Sequence, residues 1–386
     1  MKKYLIISSI ILVFILGSLL YTLKPNNHFQ SKSNPKDKIV IWAYSPSLVK
    51  IAKEFEQKHK DVQIVIKLFN NSEILLQELT VAESAGTPPN IAEISSFYGI
   101  YPFIETKSIF PVSSYVNSNL ERELVPSITK RFKYKNQMWA VPLGYHIPII
   151  YVNQKVLSQS SNPEALNFDV TTLLGMEDQL KKEKKLLWGI QSDTLYPWYI
   201  MTMKKDIKIN NSQSSVSFYD EIGEKLKWLP SYTTHLSLTQ FANGKGGMLI
   251  STSQKLPLID KLVGSKFEWD VIPFPVNPQN LIPNGNGLIV FNRESINLKI
   301  VTKFMEFIVQ DSQLLKIAEK ETIIPPKEHL IILDKYLQQY RQFPNYQNIV
   351  KKSKSAEGNY LNPLDEQSWN NLLQDVDWRI TNKGDE

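Results

Sequence analysis

From Lys38 onward, short apolar runs alternate with stretches whose apolar residues recur every three or four positions. "KIVIWAY" is short and β-branched enough to predict a strand. In "SPSLVKIAKEFEQKHK" the residues Leu48, Ile51, Ala52 and Phe55 share one helical face, with Ser45 expected as N-cap and Pro46 at the first helical position. A strand "VQIVIKLF", a helix "SEILLQELTVAESAG" and a strand "NIAEIS" follow. In "AESAGTPPNIAEIS", Gly86 suits the left-handed position after a helix, and Pro88 and Pro89 cannot extend it. Three strands interleaved with two helices predict βαβ units and a parallel sheet.

Further on, the pattern predicts helices around Tyr98 to Thr106 and Leu120 to Arg131. "FKYKNQMWAVPL" reads as a hairpin turning at Lys135 and Asn136. "IPIIYVNQKVL" opens a second strand and helix series, and Thr171 to Lys185 form a lysine-rich amphipathic helix. "KLLWGI", "GGMLIS", "FEWDVIPFP" and "GNGLIVF" read as buried strands, with Trp188, Trp228 and Trp269 as core. "NLKIVTKFMEFIVQDSQLLKIAEKE" and "EQSWNNLLQDVDWRI" read as helices.

The N-terminus departs from this alternation. Lys2 and Lys3 precede an uncharged apolar run of twenty residues, Tyr4 to Leu23. About 20 residues span a bilayer core, whereas the apolar part of a signal peptide is usually ~7 to 15 long. No A-x-A site follows, since the first alanine is Ala43. The reading favours an uncleaved anchor at 1–24 over a removed signal peptide, then a flexible polar tether at 25–37. Either way Lys2 and Lys3 stay inside and the body is exported, and the favoured uncleaved segment would anchor it on the outer face of the cytoplasmic membrane.

At 386 residues the chain is long enough for two domains or a pair of lobes. Its net charge of +6 is concentrated at the N-terminus. Residues 1–38 carry a net +5, leaving 38 basic against 37 acidic residues beyond them. That body is nearly neutral, and no nucleic-acid partner is implied. Cysteine is absent, which removes disulfides, thiolate metal sites and thiol nucleophiles. The five histidines lack metal-ligand spacing, "GKGG" and "GNGLIV" fall short of phosphate or dinucleotide loops, and G-x-S-x-G is missing. No cofactor, metal or catalytic residue is assigned, and the expectation is a protein that is not an enzyme.

The order of these pieces resembles the extracellular solute-binding proteins of ABC importers, in particular the sugar-binding group to which maltose-binding protein belongs. The matching segments are "IVIWAYSPSLVKIAKEFEQKHKDVQIVI", "AGTPPNIAEIS", "FKYKNQMWAVPLGYHIPIIYVNQKVL", "FANGKGGMLIS", "FEWDVIPFP", "GNGLIVF" and "IIPPKEHL", spread over about 38–380. Each is weak alone, and together they keep the family's order. The resemblance implies an α/β, two-lobed periplasmic-binding-protein-like fold, with lobe 1 at 38–146 and 275–315 and lobe 2 at 147–274 and 316–386. It also implies that a small polar ligand, an oligosaccharide by expectation, is trapped in the interlobe cleft and delivered to ABC importer permease subunits. An open sheet independently favours ligands beyond the carboxyl ends of its strands.

The resemblance puts pocket groups at Trp42 and Tyr44, at Ser95, Ser96 and Tyr98, and at Tyr145 and His146 on the first interlobe crossing. Tyr196 and Trp198 would face them from lobe 2, and Asn286 lies between two glycines that let a ligand approach the backbone. Core packing of Trp42 or Trp198, helix capping by Ser95 and a structural His146 are the plain alternatives. One position departs from the family: where a tryptophan usually follows the strand "GGMLIS", this chain has Gln254. Losing a stacked ring there costs about 0.5 to 1.5 kcal/mol, which tells against a sugar. Two other readings stay open: a ligand-sensing or adaptor protein of the same fold, and a surface hydrolase built on paired carboxylates.

Overall fold

The computed structural model describes residues 37–97, 100–117, 119–154, 188–193, 236–276, 281–293 and 296–356. The expected anchor, the tether before Asp37, the helices at 171–185 and 366–380, and Tyr98, Tyr196, Trp198 and Trp228 lie outside the described residues. Among the described residues no helix is long and apolar enough to cross a membrane.

The first βαβ units form as the periodicity predicts. Strand β1 (Asp37–Ala43), helix α1 (Ser47–Lys58), strand β2 (Val62–Leu68), helix α2 (Ser72–Ser84) and strand β3 (Ile91–Ser95) follow one another, and β1 pairs in parallel with both β2 and β3. Helix α1 buries Leu48, Ile51, Ala52 and Phe55. Ser45 does not cap it: the Ser45 hydroxyl turns to Glu93, and the Ser47 N–H donates instead to Glu321 Oε1 at 2.8 Å. Asn71 caps α2 by accepting from the Ile74 N–H at 2.8 Å. Gly86 closes α2 in the left-handed region at φ 71°, while the Thr87 N–H reaches back to the Ala82 carbonyl at 2.8 Å.

Next come α3 (Ile100–Glu105), β4 (Ile109–Phe110) and α4 (Pro126–Arg131). The helix expected over 120–131 is two pieces, because Val125 is held extended before Pro126 and its N–H bonds the Pro326 carbonyl at 2.8 Å. The hairpin β5 (Lys133–Tyr134) and β6 (Gln137–Met138) turns at Lys135 and Asn136, both with positive φ. Strand β7 (Val141–His146) runs through Ile147 into β8 (Pro148–Asn153). Then follow β9 (Trp188–Ser192), α5 (Ser237–Ala242), β10 (Gly246–Thr252), α6 (Leu256–Val263), β11 (Trp269–Pro273) and β12 (Asn284–Phe291).

These strands divide between two sheets, and that division positions the site. One runs β2-β1-β3-β12-β4, with β7 also paired to β12, and the other runs β11-β8-β10-β9. Both are mixed rather than parallel throughout, since β12 is antiparallel to β3 and β7, and β8 to β10 and β11. The chain leaves the first sheet at Ile147 and returns to it at β12.

The long helix expected near 297–321 is α7 (Leu298–Ile308) and α8 (Asp311–Glu321), separated by extended Gln310. Asp311, at the break, faces Lys327 at 2.9 Å and His329 at 2.8 Å, and Lys327 also reaches Glu123 at 2.8 Å. Burial lowers the Lys327 ammonium, but the two carboxylates outweigh it and hold the group above its ordinary value. Helix α8 packs on α1 and β7. Phe55 of α1 meets Phe304 of α7 edge-on, with centroids 5.3 Å apart. Full burial of such a ring contributes about 1.5–3 kcal/mol. The last described helix, α9 (Pro344–Ser353), packs on β11.

Candidate functional site

At the carboxyl end of β1 the chain turns sharply at Tyr44 and Ser45 into α1. What fixes this turn is Glu93, the only charged residue in β3, with no exposed surface. Its Oε2 accepts from the Tyr44 N–H at 2.9 Å and the Ser45 N–H at 2.8 Å. Its Oε1 accepts from the Ser45 hydroxyl and from the Asn286 amide of β12. Burial pushes the Glu93 carboxyl above the usual carboxylate value, against the pull of these donors. A buried carboxylate with four donors is a rigid bracket joining three strands.

A second bracket joins β3 to β12. The Ser95 and Ser96 hydroxyls donate to Asn284 Oδ1 at 3.2 and 3.1 Å, and the Gly285 N–H donates to Ser96 Oγ at 3.0 Å. From below, the buried Arg131 guanidinium donates to the Ser96 carbonyl at 3.1 Å and lies over the Phe97 ring at 5.4 Å.

Third, the returning chain is tied to β7. The Tyr145 and Ile324 backbones exchange hydrogen bonds of 2.9 and 2.7 Å. Thr322, between cleft residues Glu321 and Ile323, is held in the left-handed region at φ 54°. That conformation costs a β-branched residue roughly 1–2 kcal/mol. The Gln254 amide, just beyond β10 of the second sheet, donates to the Glu321 carbonyl at 3.0 Å.

Together these elements enclose a cleft of about 220 Å³. The first sheet supplies Tyr44, Ser45, Ser95, His146, Asn284 and Asn286, the turn before α2 supplies Asn70, Asn71 and Ser72, and the second sheet's side supplies Gln254. Among the described residues Glu321 is the one carboxylate on the wall, and one of its oxygens is held by the Ser47 N–H. Side-chain amides and hydroxyls therefore dominate, and they can both donate and accept.

The cleft brings together five of the expected residues: Tyr44, Ser95, His146, Gln254 and Asn286. Trp42 does not join them. Its ring packs on Phe69 with centroids 5.3 Å apart, under the Lys67 ammonium at 4.5 Å. Ser96 is buried in the second bracket. Tyr145 is fully buried, and its hydroxyl meets Ser353 Oγ of α9 at 2.9 Å, which makes it a structural link. Asn70 to Ser72, Ser45, Asn284 and Glu321 were not expected. Glu93 carried a legible signal: an acidic residue inside an otherwise apolar strand needs buried donors.

Burial, with the Lys255 charge nearby, pulls the His146 imidazole from its ordinary 6.5 down to about 3. The folded ring stays neutral while the unfolded one takes a proton below pH ~6.5, so stability is lost as pH falls from ~6.5 toward 3. The slope is about 1.4 kcal/mol per pH unit, hence on the order of 2 kcal/mol between pH 6.5 and 5. Urea denaturation across this range should show the loss in the native chain and its disappearance in His146→Gln. Equal pH profiles for the two would contradict the assignment.

Among the described residues no group of three or more His, Asp or Glu side chains is arranged to hold a metal. The family model of the bacterial extracellular solute-binding proteins matches residues 50–345. No curated protein sequence matches the chain significantly. Solved structures match its fold over most of its length at low identity. UgpB from Mycobacterium tuberculosis, in complex with glycerophosphocholine, is 13% identical with a TM-score of 0.70, covering 90% of this chain and 96% of that one. T. maritima MalE3, with maltose bound, is 16% identical at a TM-score of 0.69, covering 89% and 94%. The ABC substrate-binding protein Lmo0181 from Listeria monocytogenes, in complex with cycloalternan, is 18% identical at 0.68, covering 90% and 94%. With a two-sheet fold, a polar cleft between the sheets and a family match over 50–345, this chain belongs to the bacterial extracellular solute-binding proteins.

Proposed function

We propose that the cleft takes a neutral oligosaccharide and that the protein hands it to the permease of an ABC importer. The observation that carries this reading is the lining among the described residues: amides and hydroxyls from both sheets' sides, a neutral His146 and a single, already engaged carboxylate. Such a wall matches the paired donors and acceptors of sugar hydroxyls and offers no full charge pair to an ionic ligand. Tyr44 supplies a phenol ring for stacking on a sugar face, the role that Gln254 does not fill. The relatives bound to maltose and cycloalternan support the same ligand class.

In this reading lobe 1 carries the first sheet and lobe 2 the second. A third crossing after Glu321, a little beyond the expected 315, is supported by the continuity of α8 and its packing on α1 and β7. Export is the family's setting, and an uncleaved N-terminal helix would keep the protein beside its permease and raise the effective concentration there. No reaction is assigned to it. Calorimetric titration of the full chain in neutral detergent tests the ligand class. Neutral malto-oligosaccharides should bind, and charged polyamines and amino acids should not. Binding of the charged compounds alone would overturn the reading.

A further inference from the structure

Internal hydrogen bonds decide what the cleft wall can offer a ligand. Asn284 Oδ1 is taken by the Ser95 and Ser96 hydroxyls, which leaves its NH2 as a donor. The Asn286 NH2 is taken by Ser45 Oγ and Glu93, which leaves its Oδ1 as an acceptor. These two side chains lie two positions apart on β12, so they share one face of the strand and both line the cleft. Among the described residues Glu321 is the one charged acceptor on the wall. Its Oε1 is held by the Ser47 N–H, and its Oε2 makes no hydrogen bond or ion pair among the described residues.

Glu321 is also out of place by local rules. It ends α8, where the helix dipole disfavours a carboxylate and favours a cation such as its neighbour Lys320. Three features nevertheless fix it at the cleft. Thr322 turns the chain in the left-handed region at φ 54°, the Gln254 amide holds the Glu321 carbonyl at 3.0 Å, and the Ser47 N–H holds Oε1 at 2.8 Å. The contact with Ser47 supplies α1 with the cap that its own N-terminal side chains do not give. Capping needs neither the charge nor the second oxygen, since a glutamine oxygen would accept from the same N–H. We propose that Glu321 is the specificity-determining acceptor of the cleft: its Oε2 takes a hydrogen bond from a ligand hydroxyl, so the bound sugar must carry a free O–H at that point. This rests on the oligosaccharide reading above.

A carboxylate accepts but cannot donate, so an oligosaccharide lacking that hydroxyl leaves a desolvated charge without a partner. The full chain in neutral detergent is titrated by calorimetry with maltotriose and with its monodeoxy analogues. Glu321→Gln keeps an oxygen for the Ser47 N–H, so its urea midpoint should stay native. Its affinity for maltotriose should fall about five- to tenfold, the step from a charge-assisted to a neutral hydrogen bond. Glu321→Ala removes the contact altogether. One monodeoxy analogue should bind the native chain about tenfold more weakly than maltotriose does, and should bind Glu321→Ala as well as maltotriose does. Native maltotriose affinity in Glu321→Gln, or deoxy penalties that all survive in Glu321→Ala, would overturn the inference while leaving the ligand class standing. No binding of maltotriose or its analogues to the native chain would overturn both.

Discussion

Glu93→Ala should lose about 3–5 kcal/mol of stability, the largest effect expected of any single change to the site. The physical reason is the number of groups left behind. The Tyr44 and Ser45 N–H groups, the Ser45 hydroxyl and the Asn286 amide all point at this carboxyl, which has no exposed surface of its own. Glu93→Gln is the sharper variant because volume is kept. One amide oxygen still accepts, but the NH2 faces donors, so about 2 kcal/mol should go. Ligand affinity should fall more than stability suggests, since Tyr44, Ser45 and Asn286 all line the cleft. Urea denaturation and ligand titration of both variants measure this. A Gln variant of native stability would mean that the four donors are satisfied elsewhere.

The second large effect is expected at Gly285. There β12 and β7 approach so closely that an added Cβ would lie 2.6 Å from the Gly144 carbonyl oxygen and would overlap the Ile128 side chain. The Ile128 methyl can turn, but the backbone of a paired strand cannot retreat without breaking the register next to the bulge at Asn286 and Gly287. Gly285→Ala should therefore cost about 3 kcal/mol, the upper end for overpacking. It should also displace Ser96 and Asn284, because the Gly285 N–H and carbonyl both bond Ser96. A shift in the urea midpoint worth under ~0.5 kcal/mol, the size of an ordinary surface change, would show that the strands separate freely.

Much of this architecture was legible wherever local chemistry acts alone. The 3.6-residue period of α1, the left-handed Gly86 and the Lys135 and Asn136 turn each need only their neighbours, and each formed as expected. What was not legible depends on partners distant in the chain. Ser45 looks like a helix cap until Glu93, 48 residues on, claims its hydroxyl. Nothing in "VQDSQ" announces a break between α7 and α8, where Asp311 meets Lys327 and His329 from later in the chain.

Trp42 and Tyr44 illustrate the same limit within a single strand end. They have the same parity and flank the end of a strand that leads to the cleft. Trp42 is still within β1, where Lys67 and Phe69 from β2 and its following turn cover it. Tyr44 lies one residue past the last paired position, where the chain has begun to turn and the residue lines the cavity. The polar turn Asn70 to Ser72 reads in sequence as an ordinary helix start, which it also is: Asn71 caps α2 while lining the cleft.

The proposed neutral oligosaccharide would sit against Tyr44 in the cleft between the sheets. Calorimetric titration of the full chain with maltotriose and longer or cyclic glucose oligomers, in native and Tyr44→Ala forms, tests it most directly. The predicted result is saturable one-to-one binding to the native chain, about tenfold weaker in the variant, the sum of one stacked ring and one hydroxyl contact. No heat of binding across the oligosaccharides, or the same affinity without the Tyr44 ring, would contradict it.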